Sequence, residues 1–276
     1  MTAVRSFSIA LGVAQRSTRK LLKSPVPALP PILIPMFMFA AFAGALSGIS
    51  NTKSFAYYDF TAFQFVFILY MGSMLAGAFS AFEISGDFES GMGNRLMLAA
   101  PQRLAIVGGY LIFAVGRFLF GIAVIWGIAL LAGLSVRGGA LDIAGLIALA
   151  LLLNVATTLY GAGIALRLQS IAAGTLILIP IFMTLFMAPV FVPRPQLSGW
   201  LKTVADINPL TPAIEAGRGF MADDPVSVAL AFGVTIGLVI AFAVFAVRGM
   251  VKAEKGPGSG RSRPARRRGG PDPDDA

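Results

Sequence analysis

The chain has 276 residues, of which 57% are hydrophobic and 13% charged, against about 45–50% and about 25% in ordinary soluble domains. It carries no Cys and no His, which excludes disulfide frameworks, thiol nucleophiles, zinc centres and His-based general bases. With 22 Lys and Arg against 13 Asp and Glu the net charge is +9, and the composition reads as an all-α integral membrane protein rather than an enzyme.

Six runs free of charge cover residues 24–52, 60–82, 118–136, 143–166, 168–193 and 225–247. A bilayer core takes about 20 apolar residues as helix, because each backbone polar group must be satisfied within the segment. The economical count is therefore six transmembrane helices, at about 28–48, 61–82, 117–136, 143–166, 171–192 and 226–247, forming one domain over 1–250. Residues 251–276, rich in Gly, Pro and Arg, read as a disordered basic tail, with Arg261 to Arg268 within reach of anionic headgroups.

In chain order, Val4, Phe7, Leu11 and Ala14 recur at helical spacing over residues 1–23, with the basic residues mainly on other faces. This reads as an N-terminal amphipathic helix in the interface; the bland reading is a solvated tail. The first span carries Pro30, Pro31 and Pro35, the last of which would kink it. Phe63, Phe67, Met71 and Met74 share one face of the second span and could line a pathway for a greasy solute, although ordinary packing is commoner. The third span allows two readings around Arg117. The preferred one is an interfacial segment over 104–116 followed by a span from about 117, with Arg117 snorkelling; the other is a longer span that buries it. Asn154, Thr157 and Thr158 on the fourth span suit either helix packing or a cargo path. Residues 193–224, with four prolines and several charges, are too polar for a span and read as an extracellular re-entrant hairpin. A short helix from about Thr211 would set Glu215 and Arg218 on one side, as an ion pair or a gate.

Orientation follows the basic residues. An N-terminus in the cytoplasm places sixteen of the 22 inside: five over residues 5–23, Arg95, Arg103, Arg167 and eight beyond residue 247. Lys53, Arg137, Arg194, Lys202 and Arg218 fall outside. Both termini are expected in the cytoplasm.

The inner connection between the second and third spans is the most informative segment. It begins at Glu83 and holds Asp87-x-Glu89-x-Gly91-x-x-x-Arg95-Leu96, then Leu98, then Pro101-x-Arg103. A polar stretch, a brief apolar helical patch and a proline stop suit a small helix shown to a cytosolic partner. This pattern resembles the stretch after the second helix in permease subunits of type-2 ABC exporters. The run from Ile207 through Asn208 and Pro209 to Phe220 resembles the same family's Asn-Pro segment before the last helix. The likeness covers roughly residues 1–250 and is nearest to bacterial daunorubicin-type drug-resistance permeases. The chain departs from it at Met92, where a Thr is usual, at Gly93, and at Ala216-Gly217-Arg218, where Ala-Leu-Arg is common.

The resemblance implies a non-catalytic permease of a bacterial plasma membrane, exporting hydrophobic or amphipathic compounds by alternating access. ATP and Mg would be bound by a separate ATPase, in two copies, and a second permease chain, identical or related, would complete the pathway. Residues 83–103 would form the cytoplasmic coupling helix, with Asp87, Glu89 and Arg95 as polar contacts and Leu96, Leu98 and Pro101 shaping the docking face. The chain itself lacks a P-loop lysine motif, so no cofactor is expected in it. Its other partners would be membrane lipids, and no nucleic acid is expected. Two alternatives stay open: export of a lipid or glycan-linked lipid, and a stand-alone secondary transporter or channel. The latter would favour ionisable groups inside the spans, where Arg117 is the one candidate.

Overall fold

The computed structural model describes residues 2–26, 29–46, 48, 55 and 57–254. Most of the expected basic tail, residues 255–276, and Lys53 lie outside the described residues. The described residues form α1 (Thr2–Lys23), α2 (Pro30–Leu46), α3 (Phe60–Glu89), α4 (Met92–Ala99), α5 (Leu104–Leu131), α6 (Ala140–Leu168), α7 (Gly174–Phe186), α8 (Gly199–Ile207), α9 (Thr211–Ala222) and α10 (Val228–Glu254). There is no strand among them.

Helix α3 is the central element. Asp59 caps its start by accepting hydrogen bonds from the Thr61 and Ala62 amides at 3.0 and 3.2 Å, which satisfies two donors of the open first turn. Helices α2, α5 and α6 all pack against α3, and α5 also meets α6; α10 lies against α6, α1 against α5, and α9 fits among α3, α6 and α10. Almost every side chain from Phe60 to Met74 is buried, so this helix is surrounded by protein where its hydropathy alone would equally suit lipid. The α3–α6 contact is made close by small residues: an added Cβ on Gly77 would lie 2.7 Å from the Asn154 carbonyl, and one on Gly161 would strike Ala81. Small residues at such crossings let backbones approach, which is what drives helix association in lipid.

Four helices, α3, α5, α6 and α10, are long and apolar enough to cross a membrane. Two of the six expected spans are shorter: α2 has 17 residues and α7 has 13, extended by a 3₁₀ turn over Ile171–Ala173. At 1.5 Å per residue these reach about 25 Å, below the roughly 30 Å of a hydrocarbon core. Helix α7 ends at Phe186, close to Pro189, because the residue before a proline is driven out of the helical region.

The third span also differs from expectation. Helix α5 runs unbroken from Leu104 to Leu131 and does not start at 117, so Arg117 lies mid-helix and is buried. Its guanidinium does not snorkel because α3 supplies partners. It donates to the Ala76 carbonyl and to Ser80 Oγ at 2.9 Å, lies 3.7 Å from Glu83 and stacks over the Phe113 ring. A buried cation persists when such partners compensate its lost hydration. Helix α10 passes the expected boundary at 247 and continues to Glu254.

Candidate functional site

The segment from Glu83 to Arg103 is a helical hairpin. Its first part is not a loop: α3 continues through Glu83, Asp87 and Glu89. The chain then turns at Ser90 and Gly91, whose φ of +77° is the left-handed conformation that glycine adopts at no steric cost. Helix α4 follows and folds back on Phe88, because Gly93 has no side chain: an added Cβ would lie 2.7 Å from the ring. The glycine that weakens a helix by propensity here brings α4 against α3.

The carboxylate of Asp87 is almost fully enclosed, 4% exposed. Arg16 of α1 forms an ion pair with it, Lys20 approaches at 3.2 Å, and the Tyr110 hydroxyl of α5 donates to it. Burial works against the charge on Arg16, but the hydrogen bond and charge of Asp87 outweigh it and hold the Arg16 pKa above its ordinary value. Asp87 therefore joins three helices and does not face a partner. Glu89 accepts a hydrogen bond at 2.7 Å from the Ile171 amide, which ties the end of α3 to the turn before α7. Glu83 faces Arg117. Arg103 pairs with Glu254 of α10 at 3.4 Å. Leu96 packs on a cluster containing Val13, Phe88, Tyr110 and Met250.

Of the expected coupling residues, Glu89 is exposed but its carboxylate is held by the Ile171 amide, and three more face outward: Arg95, Leu98, which is 88% exposed, and Pro101. They sit along α4 and the turn after it. Beside them a cleft of about 730 Å³ is bordered by Ser6, Leu98, Pro101, Gln102, Leu104 and Glu254. Arg16, Lys20 and Tyr110 were not singled out by the pattern of the sequence. The signal that points to them is general: an acid at the end of an apolar helix needs buried partners.

At the opposite end, the expected Glu215–Arg218 ion pair does not form. Helix α9 turns Arg218 inward, where it donates to the carbonyls of Pro189 at 2.7 Å, Val190 at 3.0 Å and Phe63 at 3.3 Å, over the Phe63 ring. The broken backbone after α7 leaves carbonyls without helical partners, and a guanidinium fork satisfies several at once. Glu215 instead lies 3.5 Å from Arg194, which also hydrogen-bonds Asp206 at 2.6 Å; that bond raises the Arg194 pKa. Tyr57 donates to the Arg218 carbonyl at 2.7 Å, and burial raises its phenol pKa. Asn208 bridges the hairpin to α7, donating to the Thr184 carbonyl at 2.8 Å and accepting from the Leu210 amide.

The candidate pathway residues divide. Phe63, Phe67 and Met71 are enclosed in the core. Asn154 donates to the Ser73 carbonyl at 2.9 Å across the α3–α6 contact, whereas Thr158 returns its hydroxyl to the Asn154 carbonyl within α6. Met74, Thr157 and Pro209 line an apolar cleft of about 100 Å³, together with Tyr160, Thr184 and Phe242.

Residues 11–222 match the family described as ABC-2 type transporter, a stretch that reaches from α1 to the end of α9 and takes in the α3–α4 hairpin and Asn208. No curated protein is a significant match. The matched region is over three-quarters of the chain, and the chain belongs to the ABC-2 type transporter family, as a multi-pass membrane permease component of an ABC transporter.

Proposed function

We propose that this chain is the membrane half of an ATP-driven exporter of hydrophobic or amphipathic compounds in a bacterial plasma membrane. A separate ATPase, present twice, docks on the outward face of α4, through Arg95, Leu98 and Pro101. Two permease chains flank the pathway, six crossings each, with both termini in the cytoplasm. ATP and Mg reside on the ATPase.

The observation that carries this reading is the α3–α4 hairpin. It presents a large exposed leucine and a cation on a helix whose other side is seated on Phe88. An exposed apolar side chain beside a polar rim is the form a docking contact takes. Asp87 extends the reading from docking to transmission. Its bonds to Arg16, Lys20 and Tyr110 make α1, α3 and α5 move together when α4 is pushed. A motor can shift the transport equilibrium only through contacts that differ between the two states, and α4 is where the chain offers them. The lining of the cleft at Met74 and Thr157 is apolar, as a greasy cargo requires, although its volume is smaller than such a cargo.

Leu98→Asp combined with Arg95→Glu tests the docking. The exposed positions predict unchanged helical content and membrane insertion, with affinity for the co-expressed ATPase lowered on the order of tenfold or more. Full co-purification and ATPase stimulation by this variant would overturn the assignment. So would uphill transport by the purified chain alone.

A further inference from the structure

Helix α1 carries three distinct faces. Ala10, Val13, Ala14 and Ser17 are buried, and an added Cβ on Gly109 of α5 would lie 2.6 Å from both the Ala10 carbonyl and Val13. Val4, Phe7, Leu11 and Leu22 are apolar and exposed. At 100° per residue, Arg5, Arg16, Arg19, Lys20 and Lys23 occupy the third face. Beyond the close contact at Gly109, a groove of about 860 Å³ lies between α1, α2 and α5, walled by Leu11, Leu22, Ile32, Ile112, Phe113 and Phe120.

We propose that this groove binds an anionic phospholipid, with an acyl chain along the apolar wall and the phosphate against Arg19 and Lys23. Its volume falls within the roughly 300–1,000 Å³ of ligand pockets. Arg117, the cation in its wall, is committed to α3, and the cations at its edge are the residues that directly follow Thr18 and Leu22 of the wall. Arg16 and Lys20 are committed to Asp87, whereas Arg19 and Lys23, four apart and on one side of the helix, are exposed. Among the described residues neither of these two belongs to an ion pair. Two uncompensated cations next to an apolar groove are complementary to a phosphodiester joined to a hydrocarbon chain. A zwitterionic lipid, carrying its own ammonium, fits this site less well. The site is separate from the α4 docking face and holds whether or not α4 seats an ATPase.

The test is native mass spectrometry of the full chain purified with phosphatidylglycerol or phosphatidylcholine. The wild type retains phosphatidylglycerol in preference, on the order of tenfold. Arg19→Gln with Lys23→Gln abolishes the preference. Gly116 lines the groove and has nothing within 4 Å of an added Cβ, so the side chain of Gly116→Phe starts in the open space of the groove. That variant loses retention of both lipids while its thermal unfolding stays unchanged. No preference in the wild type, or full retention by Gly116→Phe, overturns the proposal. A disulfide between two copies of Gly116→Cys, unambiguous in a chain without cysteines, would show that the groove faces a second chain and would also overturn it.

Discussion

Asp87 shows how a side chain's role depends on direction as much as position. The spacing of acids and glycines after α3 marks it as important, and the resemblance assigns it to a partner contact. The structure turns it inward, to Arg16, Lys20 and Tyr110. No pattern in one segment reveals this, because the partners lie on helices 67 to 71 residues before it and 23 residues after it. The same holds for Arg218, whose acceptors are carbonyls exposed only because α7 ends early. Asp87→Asn keeps the shape and removes the charge that Arg16 and Lys20 face. Arg16 and Lys20 are partly exposed, with side-chain exposures of 28% and 53%, so the loss is about 1–3 kcal/mol and below that of a wholly buried pair. Thermal unfolding in detergent measures it. In a double-mutant cycle, Arg16→Gln should cost much less once Asp87→Asn is present. Full additivity would mean that the ion pair contributes nothing.

Among the elements, the apolar runs were legible and their ends were not. Charge-free stretches located α3, α5, α6 and α10, since length and apolarity are properties of composition. The start of α5 is not legible, because Arg117 suits a membrane boundary as well as a buried site and its partners Ala76, Ser80 and Glu83 belong to a different helix. The Phe and Met face of the second span suits packing or a pathway on pattern alone, and α3 proves enclosed on nearly all sides. Hydropathy cannot separate a helix that meets lipid from one that meets other helices, because lipid tails and Leu side chains are equally apolar. The glycines supply the missing information. Gly77→Ala brings a methyl against Thr157 and to 2.7 Å from the Asn154 carbonyl. It should therefore destabilise the chain by about 1–3 kcal/mol despite the better helix propensity of Ala. Thr157→Ala should not restore stability, since the carbonyl remains. Gly127→Ala, at a helix position with nothing within 4 Å, should be neutral or stabilising by up to about 1 kcal/mol. Equal unfolding temperatures for Gly77→Ala and Gly127→Ala would contradict this account of the α3–α6 contact.

For the molecule as a whole, topology turns on the two short apolar helices. If α7 crosses, three crossings separate position 95 from position 202, and the two lie on opposite sides of the membrane. If it does not, they share a side. By the same parity, positions 19 and 95 share a side only if α2 crosses. Single-cysteine variants Arg19→Cys, Arg95→Cys and Lys202→Cys, probed with a membrane-impermeant maleimide in intact cells, decide both. The six-crossing reading expects labelling of position 202 from outside and of positions 19 and 95 only after the membrane is opened. Labelling of all three from one side would leave α7 as an element that enters and leaves by the same face.

The Arg103–Glu254 pair brings the final turn of α10 to the turn after α4, and Ser6 of α1 borders the same cleft. The first and last helices thus converge on one corner, the corner where a motor would sit. An ATPase joined in frame ahead of α1 or behind α10 would already stand next to its seat and need only a short tether, so a fused permease and motor would require no rearrangement of this fold.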